Sequence, residues 1–127
     1  MSKTRIAKLT AYPAQIYVLG KTHMAQYDVY PNPSRSANEG MPYVVVIQSD
    51  LLDALATRLT MPLAISDASM HTPTSLCPVV MVKDKRFNAL AHFAAPLPAK
   101  LLRRPVDNVA GQGSALVSAM DAVLSGI

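Results

Sequence analysis

The stretch Tyr43-Val44-Val45-Val46-Ile47-Gln48-Ser49-Asp50-Leu51-Leu52-Asp53 decides the fold class. Its first five residues are aromatic or β-branched, and no polar residue alternates with them. Such a run predicts a strand over residues 43–48, covered on both faces or nearly so. Ser49 and Asp50 then end it.

On either side the chain reads as more short strands. Residues 26–30 mix aromatic and polar side chains in a short strand. A loop rich in turn residues follows, Pro31-Asn32-Pro33-Ser34-Arg35-Ser36 and then Asn38-Glu39-Gly40, which cannot continue a strand or a helix. Residues 58–63 predict another strand, with Pro62 placing it at an edge or a bend. Residues 66–76 are a polar loop. Residues 78–82, PVVMV, are again a buried strand, and Lys83-Asp84-Lys85 is a tight charged turn. From 86 to 93 the chain alternates: Phe87, Ala89, Ala91 and Phe93 share one face, Asn88, Leu90 and His92 the other. The two runs make a β-hairpin. Residues 94–98 break it, and 100–103 predict one more short strand.

The last element is helical, with Ser114 as its expected cap. Leu116, Met120 and Val123 fall at i, i+4 and i+7 on one face, and Asp121 lies on another. Short strands of differing length closed by one terminal helix predict a mainly β fold, a small barrel or sandwich with the helix packed on it.

At 127 residues, half of them apolar, the chain has one domain's length and should fold alone. No stretch approaches the roughly 20 apolar residues of a membrane-spanning helix. The single cysteine, Cys77, excludes an internal disulfide and fits a reducing compartment. The formal charge of +4 suggests nucleic acid, but its location argues otherwise. Lys3, Arg5, Lys8 and Lys21 precede Met24 with no acid among them, and from Met24 on eight Lys/Arg meet eight Asp/Glu. A formally neutral domain lacks the broad basic footprint that drives phosphate binding. Residues 1–23 read as a basic extension, with 24–127 as the folded domain. Pro13 and Gln15 break the apolar stretch that a secretory signal needs. The extension is a start-site artefact with Met24 as the true start, a disordered tail, or an added strand at a sheet edge.

The familiar catalytic patterns are missing: no Gly-rich phosphate loop, HExxH, CxxC or GxSxG. His23, His71 and His92 are far apart in sequence, and Cys77, before Pro78 at the start of an apolar strand, reads as a buried inert thiol. No residue is assigned a catalytic or metal-ligating role. Lys83, Lys85 and Arg86 form a small basic group at the hairpin tip, and Arg103-Arg104 forms a second. Each reads as a solvated turn or as a contact for RNA or an acidic partner.

Several collinear segments from Met24 to Ile127 carry a family resemblance. Gln26-Tyr27-Asp28-Val29-Tyr30 opens the domain, and Ile47-Gln48-Ser49-Asp50-Leu51-Leu52-Asp53 is very similar to a V-Q-S-D-I-I-D segment. Met61-Pro62-Leu63 resembles I-P-L, Leu76-Cys77-Pro78-Val79-Val80 resembles L-Y-P-V-V, Phe87 falls at a core aromatic, and Gly126-Ile127 follows a helix. In these features the chain resembles the CcdB toxins. The resemblance implies an SH3-like β-barrel with a C-terminal helix, of the CcdB/MazF kind, and a symmetric homodimer in the bacterial cytoplasm. It implies a toxin that binds the A subunit of DNA gyrase and traps gyrase on cleaved DNA. It also implies neutralisation by a CcdA-like antitoxin, with no enzymatic activity, cofactor, metal, membrane or direct nucleic-acid contact. Carried over residue by residue, the gyrase contacts are Leu51, Leu52, Asp121, Ser125, Gly126 and Ile127, and the dimer interface takes Met120, Val123 and Ile127.

The chain departs from this pattern in two places. The family's residue before Gly-Ile is a Trp that stacks on a gyrase arginine, and here it is Ser125 in a chain without Trp. Asp121 stands where such toxins carry Asn. Two other readings therefore stand beside the gyrase toxin. One is a non-toxic family member that binds only antitoxin. The other is an endoribonuclease toxin of the MazF/Kid kind, which would need an acid–base constellation.

Overall fold

The Tyr43 run is a strand whose three valines are all buried, on both faces of the sheet. The computed structural model describes residues 24–66 and 76–126. The expected basic extension 1–23, most of the polar loop with His71, and the chain-end Ile127 lie outside the described residues. Seven strands and one α-helix follow in chain order among the described residues: β1 (Asp28–Pro31), β2 (Tyr43–Val46), β3 (Thr57–Ile65), β4 (Val79–Val82), β5 (Lys85–Ala89), β6 (Ala95–Pro98), β7 (Asp107–Asn108) and α1 (Gly113–Ser125). The strands run antiparallel in the order β4-β5-β3-β2-β1-β7, with β6 also pairing β3. The fold is the expected one: mainly β, a nearly closed barrel-like sheet carrying a C-terminal helix.

Side chains close what the backbone leaves open. At the β4 edge the Gln112 amide takes both outward groups of Met81: Met81 N–H donates to Oε1 at 2.9 Å and Nε2 donates to Met81 C=O at 3.2 Å. Lys83 N–H donates to Asp107 Oδ2 at 3.0 Å. These bonds join the first strand and its hairpin turn to β7 and to the turn that follows it, and cover an edge that would otherwise invite pairing.

The sheet separates two apolar clusters. Val29, Val45, Met61, Leu63, Val80, Phe87 and Ala89 share one with Leu116 and Ala119 of α1. Tyr30, Val44, Val46 and Leu102 share the other, with Met24 and Leu97 against it. A fully buried leucine such as Leu116 contributes roughly 1.5–3 kcal/mol. Tyr43 and Phe87 meet edge to face, with ring centroids 5.4 Å apart.

Several expectations need correcting. β2 ends at Val46, not at residue 48: Ile47 N–H still reaches Leu59 C=O, but Gln48 Oε1 replaces the next ladder acceptor, taking Leu59 N–H at 2.9 Å. β3 is a central strand, so Pro62 is not at an edge. It sits where β3 changes partner, from β6 over residues 57–60 to β5 over 63–65, so its missing N–H breaks no ladder bond. Residues 95–98, expected as a break, form β6. Ala99 N–H donates to Ala56 C=O, so by alternation Pro96 and Pro98 turn their nitrogens away from β3 to the open side. The expected strand over 100–103 is absent, because a 3-10 turn, Ala99–Leu101, lies there. The hairpin's second strand stops at Ala89, and Ala91–Phe93 form another 3-10 turn. The turn between β4 and β5 is tight as expected, with Lys83 and Asp84 both at positive φ, which matches the twist of a hairpin. Gln112, not Ser114, occupies the cap position of α1, and no side chain caps it.

Candidate functional site

The residues singled out in the sequence occupy two surface features, a pinned turn and the end of α1.

The turn follows β2. Asp50–Leu52 form a 3-10 turn begun by Ser49, whose hydroxyl accepts Leu51 N–H at 3.1 Å. Asp50 Oδ1 accepts Gln26 N–H at 2.8 Å, and Gln48 Nε2 donates to Leu52 C=O and Thr57 C=O. Arg58 is buried beneath, its guanidinium donating to the carbonyls of Asp53, Leu55 and Thr57. A charged fork spent on three backbone acceptors holds a loop more firmly than neutral bonds would. The held loop nevertheless presents Leu51 at 93 % exposure, with Leu52 and Leu55 half-exposed. Apolar side chains displayed from an ordered turn contribute little to folding and suit contact with another surface.

The helix buries Gly113, Leu116 and Ala119 and half-buries Met120. Val123, read as the end of that stripe, is 38 % exposed. The buried face therefore runs at i, i+3 and i+6 and turns away from the core near its end. A second stripe, not expected from the sequence, is exposed throughout: Val117, Asp121 and Leu124, again at i, i+4 and i+7, with Leu124 at 78 %. Asp121 thus lies between two exposed apolar side chains. Gly126 ends the helix in the left-handed region at φ 77°, its N–H donating to Ala122 C=O at 2.8 Å. Ser125 turns its hydroxyl back onto its own helix, Oγ donating to Asp121 C=O at 2.6 Å. That donor is satisfied within the helix.

The pinned turn bonds to Gln26, Gln48 and Arg58, whereas α1 packs on the Ala91–Phe93 turn and the first cluster. Of the expected residues, Leu51 and Leu52 share one feature and Met120, Asp121, Val123, Ser125 and Gly126 share the other.

Two polar groups elsewhere, at Cys77 and Asp28, have structural partners. Cys77 is buried, its carbonyl accepting from Asn88 Nδ2 at 2.8 Å, and His92 is exposed beside Phe93. Asp28 is buried in a network, Oδ2 accepting from Ala25 N–H and the Tyr30 hydroxyl and Oδ1 from Asn108 Nδ2. Burial, followed by the neighbouring Asp28 carboxylate, pushes the Tyr30 phenol up to about 12. No group of three or more His, Cys, Asp or Glu among the described residues could hold a metal ion. No described helix is long and apolar enough to cross a membrane.

A family model described as CcdB protein matches residues 26–126, which include the turn and the described part of the helix end. No curated protein matches the chain.

Proposed function

Because the chain belongs to the CcdB family, whose members are the toxins of toxin–antitoxin pairs, we propose that it binds the A subunit of DNA gyrase and traps gyrase on cleaved DNA. In this reading it acts in the bacterial cytoplasm as a homodimer, without catalysis or cofactor, and a CcdA-like antitoxin neutralises it. The gyrase contacts are Leu51, Leu52, Asp121, Ser125, Gly126 and Ile127, and the two-fold interface takes Met120, Val123 and Ile127. The observation that supports this most is Leu51, an almost fully exposed leucine held on a turn that four polar side chains pin, those of Gln48, Ser49, Asp50 and Arg58. Exposed apolar side chains on ordered backbone lose little entropy on binding and serve as anchors.

Ser125 favours a second reading, a family member that binds antitoxin but poisons gyrase poorly. A Trp at this site stacks on a guanidinium for roughly 0.5–2 kcal/mol, and truncating such an anchor costs about 2–4 kcal/mol. At about 1.4 kcal/mol per decade, that is a roughly 30- to 1,000-fold weaker complex. Ser125 offers almost no apolar area, and its hydroxyl is bonded to Asp121 C=O. Titrating the wild-type chain and Ser125→Trp against the gyrase A subunit separates the readings. A gain of at least about tenfold supports the gyrase reading. An unchanged affinity removes the chain end from the contact and leaves the antitoxin-binding reading.

A further inference from the structure

The strand β6 bonds to β3 on one side, and no described strand pairs its other side. The register fixes which backbone groups face outward there. Thr57 pairs Pro98, Arg58 pairs Leu97, Leu59 pairs Pro96 and Thr60 pairs Ala95. Ala99 N–H donates to Ala56 C=O at 2.8 Å, so Ala99, Leu97 and Ala95 are the residues turned toward β3. β3 agrees from its own side. Leu59 N–H goes to Gln48 Oε1 and Leu59 C=O takes Ile47 N–H, while Thr57 C=O takes Gln48 Nε2. Leu59 and Thr57 thus turn their backbone groups away from β6. Pro96 and Pro98 lie opposite them and face outward, each with a carbonyl and no N–H.

Leu97 packs against the second cluster, so β6 is an ordered edge, and both prolines are exposed on it. An ordered, exposed edge is a template for another strand. This one offers acceptors alone. A strand laid antiparallel along it would bring two of its own carbonyls opposite the proline nitrogens, where they lose water and gain no donor. The β4 edge is closed by the opposite means. Met81 keeps its outward N–H and C=O, and the Gln112 amide fills both. Where an edge keeps its donor, a side chain covers it. On β6 the donors are missing.

From this contrast we propose that Pro96 and Pro98 are a guard built into the fold, which stops a second copy of this chain from adding to the sheet along β6. The inference goes beyond the gyrase reading and does not depend on it. A second copy is the strand to be excluded because the same edge is present on every molecule, and two such edges can meet antiparallel about a two-fold axis. Lys100, exposed one residue beyond Ala99, adds a charge that opposes the same contact. With the edge closed, self-association is left to side-chain surfaces such as the exposed residues of α1.

The test uses the full chain and restores the two donors with Pro96→Thr/Pro98→Thr. Threonine suits a strand and adds no large apolar surface. Sedimentation velocity from low to high micromolar concentration reads the mass, and the infrared amide I band reads strands paired between molecules. The double variant should form species of at least about twice the wild-type mass at the same concentration, growing with concentration and carrying the intermolecular band. Pro33→Thr, at an exposed proline outside the strands, should match wild type. Circular dichroism checks folding. If the double variant does not fold, Pro96→Thr and Pro98→Thr are read singly by the same criteria. Folded variants that keep the wild-type mass overturn the proposal, and so does equal association of Pro33→Thr. Association without the intermolecular band overturns it too, because the new contact is then not strand addition.

Discussion

Tyr30 and Asp28 illustrate how single side chains tie distant parts of the chain together. The buried Asp28 carboxylate bonds to Ala25, Tyr30 and Asn108, so it links the segment before β1 to β7 near the other end of the domain. The network also fixes an alkaline limit. The folded phenol titrates at about 12 against an ordinary value of 10.0, so folding favours its neutral form. That contribution is fully present below pH 10 and is lost as pH rises through 12, at up to about 1.4 kcal/mol per pH unit. Urea denaturation of Tyr30→Phe should give a flatter stability profile between pH 10 and 12 than wild type. An equal slope in both proteins would mean that the phenol does not govern this range. None of this was legible in the sequence, where Asp28 and Tyr30 read only as members of a short mixed strand. A side chain's partner 80 residues away leaves no local signal.

Among the elements, those with strong local patterns were legible. The valines of β2, the Lys83-Asp84 turn and the helical periodicity of α1 each carry their own physical cause. What failed depended on partners. The rule that proline avoids central strands puts Pro62 at an edge or a bend, and it does not foresee a strand exchanging neighbours at the proline itself. Pro96 and Pro98 read as breakers, yet alternate prolines suit an edge strand because their missing donors all face outward. On α1 the second apolar stripe, Val117 and Leu124, has the same i to i+7 spacing as Leu116 and Val123, so spacing alone can find it. Gly113 shows what spacing cannot give. A Cβ there would lie 2.7 Å from Tyr27 Cζ, so the helix start requires glycine to approach the ring. Alanine improves intrinsic helix propensity by up to about 1 kcal/mol, but overpacking typically costs roughly 1–3 kcal/mol. Thermal unfolding of Gly113→Ala should show a net loss of about 1–2 kcal/mol, as overpacking outweighs propensity. A raised melting temperature would show that Tyr27 moves aside freely.

At the scale of the whole molecule, the exposed apolar residues of α1 and of the pinned turn argue for a protein that completes itself through partners. If Met120 and Val123 meet their counterparts across a two-fold axis, light scattering of the chain at micromolar concentration gives about twice 13.6 kDa. Removing residues 1–23 should leave that mass and the melting temperature nearly unchanged, because chain ends that are not tied down contribute little to stability. A mass near 13.6 kDa would contradict the dimer, and loss of folding on truncation would make the extension an integral part of the domain. The central claim is that this chain traps gyrase on DNA. Its most direct test is a cleavage assay with purified gyrase, supercoiled plasmid and the Ser125→Trp variant beside wild type. Linear DNA that accumulates only with gyrase present, and more strongly with Ser125→Trp, is the predicted result. No cleavage with either protein, or degradation of RNA in the absence of gyrase, would contradict it.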